Sequence, residues 1–128
     1  MEHPVCLICE DELLISMDVK ACLEGIGVAV AGPFARGADA LEWAETNTAD
    51  VAVLDYRLQD GECLPLVSAL QAKHMPIVIH SGWLPNEANT SPKVSRLPWV
   101  SKPMDCNTLL KAIALAAPQI IVQDKRDY

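Results

Sequence analysis

The sequence predicts an α/β domain: a doubly wound, five-stranded parallel sheet with helices on both faces. Three observations carry this reading. Short apolar runs alternate with amphipathic stretches along the whole chain. The runs are apolar at successive positions, as strands buried on both faces must be. Several of them end in a charged or polar residue, and strand ends are where open α/β sheets place their ligands.

The clearest run is Val51-Ala52-Val53-Leu54-Asp55, four apolar residues that lead straight into a carboxylate. Before it, Val5-Cys6-Leu7-Ile8-Cys9 forms a first strand that ends in Glu10-Asp11-Glu12. Ile15, Val19, Cys22 and Ile26 follow at helical spacing, and Gly25 and Gly27 close that helix. Val28 to Ala31 reads as a second strand, stopped by Gly32-Pro33. A helix from Gly37 to Asn47 presents Ala38, Leu41 and Ala44 on one face. After Asp55, the stretch Tyr56 to Gly61 reads as a polar loop with an Asp-Gly turn. A third helix spans Leu64 to Lys73, with Pro65 in its first turn. Pro76 to His80 is a fourth strand that runs into Ser81-Gly82.

The alternation then weakens. Residues 83 to 98 hold Pro85, Pro92 and the run Asn89-Thr90-Ser91, so the helix due there is expected to be short or frayed. Pro98 to Ser101 is a short fifth strand, and Lys102-Pro103 ends it. Asp105 is placed to cap a last helix with Leu109, Leu110, Ile113 and Ala117 inward, and Pro118 stops it. The expected division is one domain over residues 1–118 and a tail over 119–128, with Ile120-Ile121-Val122 packing back on the domain. No internal repeat and no second domain is read.

Composition narrows the function. At 128 residues the chain is large enough to bury a core without staples. A net charge of -7 speaks against a nucleic-acid partner, which needs a basic face. No apolar run approaches the about 20 residues of a membrane span, and the chain start carries no signal-sequence pattern. A cytoplasmic protein is expected. The five cysteines, Cys6, Cys9, Cys22, Cys63 and Cys106, are odd in number and sit in apolar segments, so buried free thiols are expected. Cys6 and Cys9 are three residues apart on a strand and face opposite sides, which argues against a shared metal or redox role.

Strands one, three, four and five deliver Glu10 and Asp11, Asp55, Ser81 and Lys102 to one edge. Alone, Glu10 and Asp11 read as favourable charge at a helix start. Together with Asp55 they form a carboxylate cluster that stays ionised only around a cation, and a hard oxygen donor set suits Mg²⁺. Lys102 and Ser81 are donors suited to a phosphoryl group. His80 precedes the site residue and is expected to point away from it.

Over about residues 4 to 117 the chain resembles the receiver domain of two-component response regulators, the CheY-like fold. The matching motifs are Glu10-Asp11, Asp55, Ser81 and Lys102-Pro103, each at a strand end, with Leu58-Gln59-Asp60-Gly61 similar to the family's Leu-Pro-Asp-Gly. The resemblance implies phosphorylation of Asp55 from the phosphohistidine of a histidine kinase or histidine phosphotransfer protein. It implies Mg²⁺ bound by Asp11, Asp55 and the Arg57 backbone carbonyl, with Glu10 acting through water. It implies Lys102 and Ser81 on the phosphoryl oxygens. The family's switch aromatic aligns with Trp99, a bulkier residue, and Arg57 and Trp83 fall two residues past Asp55 and Ser81, at the rim of the crevice. His80 to Trp83 and Pro98 to Pro103 are similar to an alphaproteobacterial subclass that reads Phe-Ala-Thr-Gly-hydrophobic after strand four.

The implied activity is a stand-alone, phosphorylation-controlled interaction switch, monomeric or weakly dimeric, that acts on a downstream protein and is not a turnover enzyme. Two alternatives are a receiver that binds partners without phosphorylation and a receiver fragment of a hybrid histidine kinase. An aspartyl phosphatase would need an acid two residues after Asp55, where Arg57 stands.

Overall fold

The computed structural model describes residues 3–88 and 90–121, with side chains to residue 120. The elements run β1 (Val5–Cys9), α1 (Leu13–Glu24), β2 (Ala29–Phe34), α2 (Gly37–Thr46), β3 (Val51–Asp55), β4 (Arg57–Leu58), β5 (Gly61–Glu62), α3 (Leu64–Ala72) and β6 (Ile77–Ser81). They continue with α4 (Pro85–Ala88), α5 (Pro92–Ser95), β7 (Trp99–Ser101), α6 (Cys106–Ala116) and α7 (Pro118–Ile121). Five strands form one parallel sheet in the order β2-β1-β3-β6-β7. The doubly wound architecture read from the sequence is the one observed.

Alternation along the strands splits the core in two. Cys6, Ile8, Val51, Val53, Val78 and Val100 pack with α1 and α6, through Val19, Leu23, Leu109 and Ile113. Leu7, Cys9, Ala52, Leu54, Ile77 and Ile79 pack with α2 and α3, through Ala40, Ala44, Leu66 and Leu70. Cys6 and Cys9 therefore do face opposite sides. Both strands at the centre of the sheet, β1 and β3, are fully covered, which is why their sequences show no polar residue before the strand end.

The structure differs from the sequence reading in four places. The stretch after β3 is not a loop: Arg57–Leu58 and Gly61–Glu62 pair antiparallel, and Tyr56 is buried against α2 and α3. Helix α2 turns Gly37, Ala40 and Ala44 inward and leaves Ala38 exposed. Small residues on several sides of a helix give its hydrophobic phase little contrast. Strand β2 does not stop at Gly32-Pro33 but continues to Phe34, whereas the helix due after β6 is short as expected, two single turns, α4 and α5. Finally, Cys22 and Cys106 are joined by a disulfide, with only Cys6, Cys9 and Cys63 free. Pairing over 84 residues leaves no local trace in the sequence.

One helix is capped locally and another from a distance. Asp105 accepts the Thr108 N–H at 3.0 Å and the Thr108 hydroxyl at 2.6 Å, capping α6 as expected. Asp60 acts at a distance: its carboxylate accepts the Gly37 and Ala38 N–H groups at 2.8 and 3.0 Å. The hairpin thus serves to carry Asp60 to the start of α2, where Arg36 offers no capping side chain. Past α6, Ile120 is buried in the α1–α6 half of the core, and residues 122–128 lie outside the described residues. No helix among the described residues is long and apolar enough to cross a membrane.

Removing the remote cap has a predictable cost. Asp60→Ala loses two charge-assisted bonds to orphan N–H groups and is expected to lose about 1 kcal/mol of stability at pH 7. Those N–H groups hold the Asp60 carboxyl below its ordinary value of 3.8. The difference from wild type is therefore full above pH 3.8 and closes as pH falls below it. Denaturant melts of both proteins at pH 7 and in acid measure it, and equal stability at pH 7 would reject the cap.

Candidate functional site

Sheet order and register assemble the site. With β1 and β3 adjacent and Cys9 paired to Leu54, the next residue, Glu10, stands abreast of Asp55. Asp55 in turn pairs with His80 on β6. Lys102 is brought up by its own backbone, whose N–H donates to the Ser81 carbonyl at 2.9 Å. Alternation puts Glu10, Asp55 and His80 on the α1–α6 side of the sheet. The strand order reverses at β1, so this edge is the switch-point crevice of the fold.

The Lys102 ammonium is the hub. It donates to Glu12 at 2.8 Å, Asp55 at 3.0 Å and Glu10 at 3.1 Å. Glu10 and Asp55 are only 5% and 6% exposed, whereas the Glu12 side chain is 59% exposed. Lys102 is thus tied to two buried acids and to one that solvent can claim. Burial alone would lower the Lys102 pKa, but the Glu12, Asp55 and Glu10 carboxylates outweigh it and hold the ammonium well above its usual value. Burial, and then the neighbouring Glu10 carboxylate, push Asp55 up to about 6, with Lys102 opposing. Asp11 is raised too, by burial first and then by Asp55.

Glu10, Asp11, Glu12 and Asp55 each offer an oxygen, and all four oxygens lie within 4.8 Å of one another. Glu10 Oε1 is buried with no hydrogen-bond partner. An all-oxygen, anionic donor set with one unsatisfied atom fits a hard divalent cation. Above it opens a basin of about 350 Å³ lined by Asp11, Glu12, Asp55, Arg57, Trp83 and Lys102.

The rim is built by Arg57 and Trp83, as the spacing implied. The Arg57 guanidinium lies 5.4 Å from the Trp83 ring centre and 5.6 Å from that of Tyr56, both within cation–π range. Its backbone N–H donates to Asp55 Oδ1 at 3.3 Å, which fixes one carboxylate oxygen from the loop side. The exposed contact with Glu62 at 4.0 Å adds little.

Two placements differ from expectation. Ser81 is buried at the strand end, but its Oγ accepts the Trp83 N–H at 2.9 Å, so it tethers the loop and does not line the basin. Trp99, aligned with the switch aromatic, packs 5.6 Å from Tyr56 on the opposite side of the sheet, and its Nε1–H donates to the Val94 carbonyl at 3.0 Å. His80 does not point away. It is 1% exposed, with Nδ1 3.8 Å from Glu10 Oε1, and burial followed by Lys102 lowers its pKa to about 4. Strand parity with Asp55 is the signal that places it. Glu12, absent from the expected set, is the other addition, and the unbroken run Glu10-Asp11-Glu12 was its trace.

The raised Asp55 has a stability consequence. Its folded-state pKa lies above 3.8, so between pH 3.8 and about 6 the folded protein binds more protons than the unfolded chain. Stability therefore falls as pH rises through that window, and the cost is full above it. In a chelator-treated sample, Asp55→Asn is expected to be more stable than wild type by about 2 kcal/mol at pH 7.5 and equal to it near pH 3.5. Paired thermal melts across pH decide this; a variant less stable at pH 7.5 would show that the Lys102 contact dominates.

Comparison with known proteins shows the family and the fold. The model of the response regulator receiver domain family matches residues 6–114. The transcriptional regulatory protein PdtaR of Mycobacterium tuberculosis is 28% identical over 112 residues, covering 86% of this chain and 55% of PdtaR. The chain thus spans about half the length of the curated relatives it matches. SdrG from Sphingomonas melonis Fr1 superposes with a TM-score of 0.76 at 30% identity, over 89% of this chain and 97% of SdrG. A CheY-like receiver domain from Methylobacillus flagellatus gives a TM-score of 0.76 at 26% identity, over 90% and 99% of the two chains. With the family model covering most of its length, the chain belongs to the response regulator receiver domain family.

Proposed function

We propose that Asp55 is the phosphoacceptor of a two-component phosphorelay and that the protein is an interaction switch set by its phosphorylation. The observation that carries this reading is Asp55 itself: a buried carboxylate at the end of β3, 3.0 Å from Lys102, opening on an acid-lined basin.

An Asp55 oxygen attacks the phosphorus of a donor phosphohistidine. A P–O bond forms, the P–N bond breaks, and the leaving imidazole nitrogen takes up a proton. Asp11, Asp55 and the Arg57 carbonyl would hold Mg²⁺, with Glu10 acting through water, and the ion would supply charge neutralisation for the incoming oxygens. The chain's own part is placement. The Arg57 N–H fixes Asp55 Oδ1, which leaves the other oxygen to Lys102. As the phosphoryl group arrives, Lys102 gives up the exposed Glu12 and pairs with a phosphoryl oxygen, keeping its charge against the buried acids. Ser81 contributes by holding the Trp83 backbone and, with a turn of its hydroxyl, by donating to the group. The donor is a histidine kinase or histidine phosphotransfer protein, and the output passes to a downstream protein. The chain assists its own modification and does not turn over a substrate.

A small phosphodonor such as acetyl phosphate, given with Mg²⁺, tests the acceptor. Intact-protein mass should rise by one phosphoryl group in wild type and not at all in Asp55→Asn. Full modification of that variant would sink the assignment; no modification of wild type by the donor or by any kinase would favour a phosphorylation-independent receiver.

Loss of the group by hydrolysis needs a water in line with the Asp55–phosphorus bond. The stacked Arg57 and Trp83 side chains stand at the mouth of that approach. Arg57 would also stabilise developing charge, but no charge develops until water enters, so shielding is the larger effect. Trp83→Ala is expected to speed decay of the phosphorylated protein roughly tenfold, equal to about 1.4 kcal/mol of barrier. Decay followed after donor removal would count against the shield if the variant kept the wild-type rate.

A further inference from the structure

We infer that Cys22 and Cys106 form a reversible thiol–disulfide site, written by exchange with a low-molecular-weight disulfide such as oxidised glutathione. The cysteines fall into two groups. Cys6, Cys9 and Cys63 are free, show no solvent exposure and lie within the core. Burial pushes the Cys6 and Cys63 thiols up to about 12 and raises Cys9 further, so none supplies a thiolate. Cys22 and Cys106 are bonded across the junction of α1 and α6, with Cα atoms 5.7 Å apart. Cys106 is half-buried and opens α6, while Cys22 sits in the last turns of α1.

Position gives the two sulfurs different roles. Once reduced, Cys106 lies at the N-terminus of an 11-residue helix, whose unpaired N–H groups favour a thiolate. Asp105 next to it opposes this, but its carboxylate is engaged by Thr108. Cys106 is therefore the attacking thiolate and Cys22 the resolving thiol. Cys106 attacks one sulfur of oxidised glutathione, forming a mixed disulfide and releasing one glutathione thiolate. Cys22 then loses its proton to solvent, attacks the Cys106 sulfur and releases the second glutathione. Two protein thiols are oxidised by two electrons, and one glutathione disulfide is reduced to two thiols. Reduction runs the same steps backwards.

The bond is reversible because it is not what makes the core. Both faces of the sheet are packed by aliphatic side chains, and a chain of this length buries enough without a staple. Cys22 is buried in the α1–α6 core at 8% exposure, so exchange enters at the half-buried Cys106 sulfur, which is open in a way the core thiols are not. This chemistry stands apart from the phosphoryl reading of Asp55.

The full chain, purified with reductant, is equilibrated in glutathione buffers from fully reduced to fully oxidised, then alkylated under native conditions and mapped by peptide mass. Two thiols, Cys22 and Cys106, should disappear together with a midpoint inside that range, while Cys6, Cys9 and Cys63 stay unlabelled. Cys22→Ser should hold one glutathione on Cys106, and Cys106→Ser should show no titration. The wild-type titration decides even if a variant folds poorly. Failure of reduced protein to close the bond in oxidised glutathione would overturn the site. So would a bond that excess dithiothreitol cannot open in the folded protein, or oxidation of the core thiols first.

Discussion

The site depends on one constraint: buried carboxylates of like charge at adjacent strand ends need a cation among them. Lys102 supplies it here, donating to Glu10, Glu12 and Asp55 at once. Its position is set by backbone, since the Lys102 N–H closes on the Ser81 carbonyl at the edge of β6 and β7. The sheet therefore fixes the charge balance. Were β7 to shift, the acids would lose their counter-ion before any of them moved. The three acids are not equivalent partners, because two are sealed against β1 and β3 while Glu12 faces water. The cation has one contact it gives up cheaply, and this makes the basin able to accept a new anion without stranding a buried charge.

The same register explains why His80 belongs with the acids. A neutral imidazole beneath Glu10 puts a polar but uncharged wall where a cation would add repulsion to Lys102 and an aliphatic residue would desolvate Glu10 fully. Burial and Lys102 both keep it neutral. Glu10 Oε1 and His80 Nε2 are both left without a hydrogen-bond partner. Such a pair costs stability where it stands.

The fold was readable because its strands are extreme. Val51–Asp55 and Val5–Cys9 carry no polar residue before their ends, and the sheet order places those ends together. Asp55, Glu10, Asp11 and Lys102 were legible for the same reason: the first two follow an apolar run directly and the others come one residue later. What escaped the sequence lacked a local signature. The β4–β5 hairpin has two residues per strand, too few for alternation to register. Helix α2 is built on Gly37, Ala40 and Ala44, whose neighbours are as small as they are. His80 was assigned to the wrong side because parity was counted from Ser81, whereas the register counts it from Asp55. The Cys22–Cys106 pair is brought together by the docking of α1 on α6, a tertiary fact.

Trp99 changes how motion would travel through this domain. Its indole N–H is tied to Val94, the buried residue of the single turn of α5. A ring anchored at its far end cannot swing between an inward and an outward pose by itself. Any displacement of β7 instead pulls on α5, a single turn of helix. The indole works as a tie-rod between β7 and α5. A signal that reached this edge would emerge as a rearranged backbone surface on the α4–α5 side, with no side-chain gate needed to announce it.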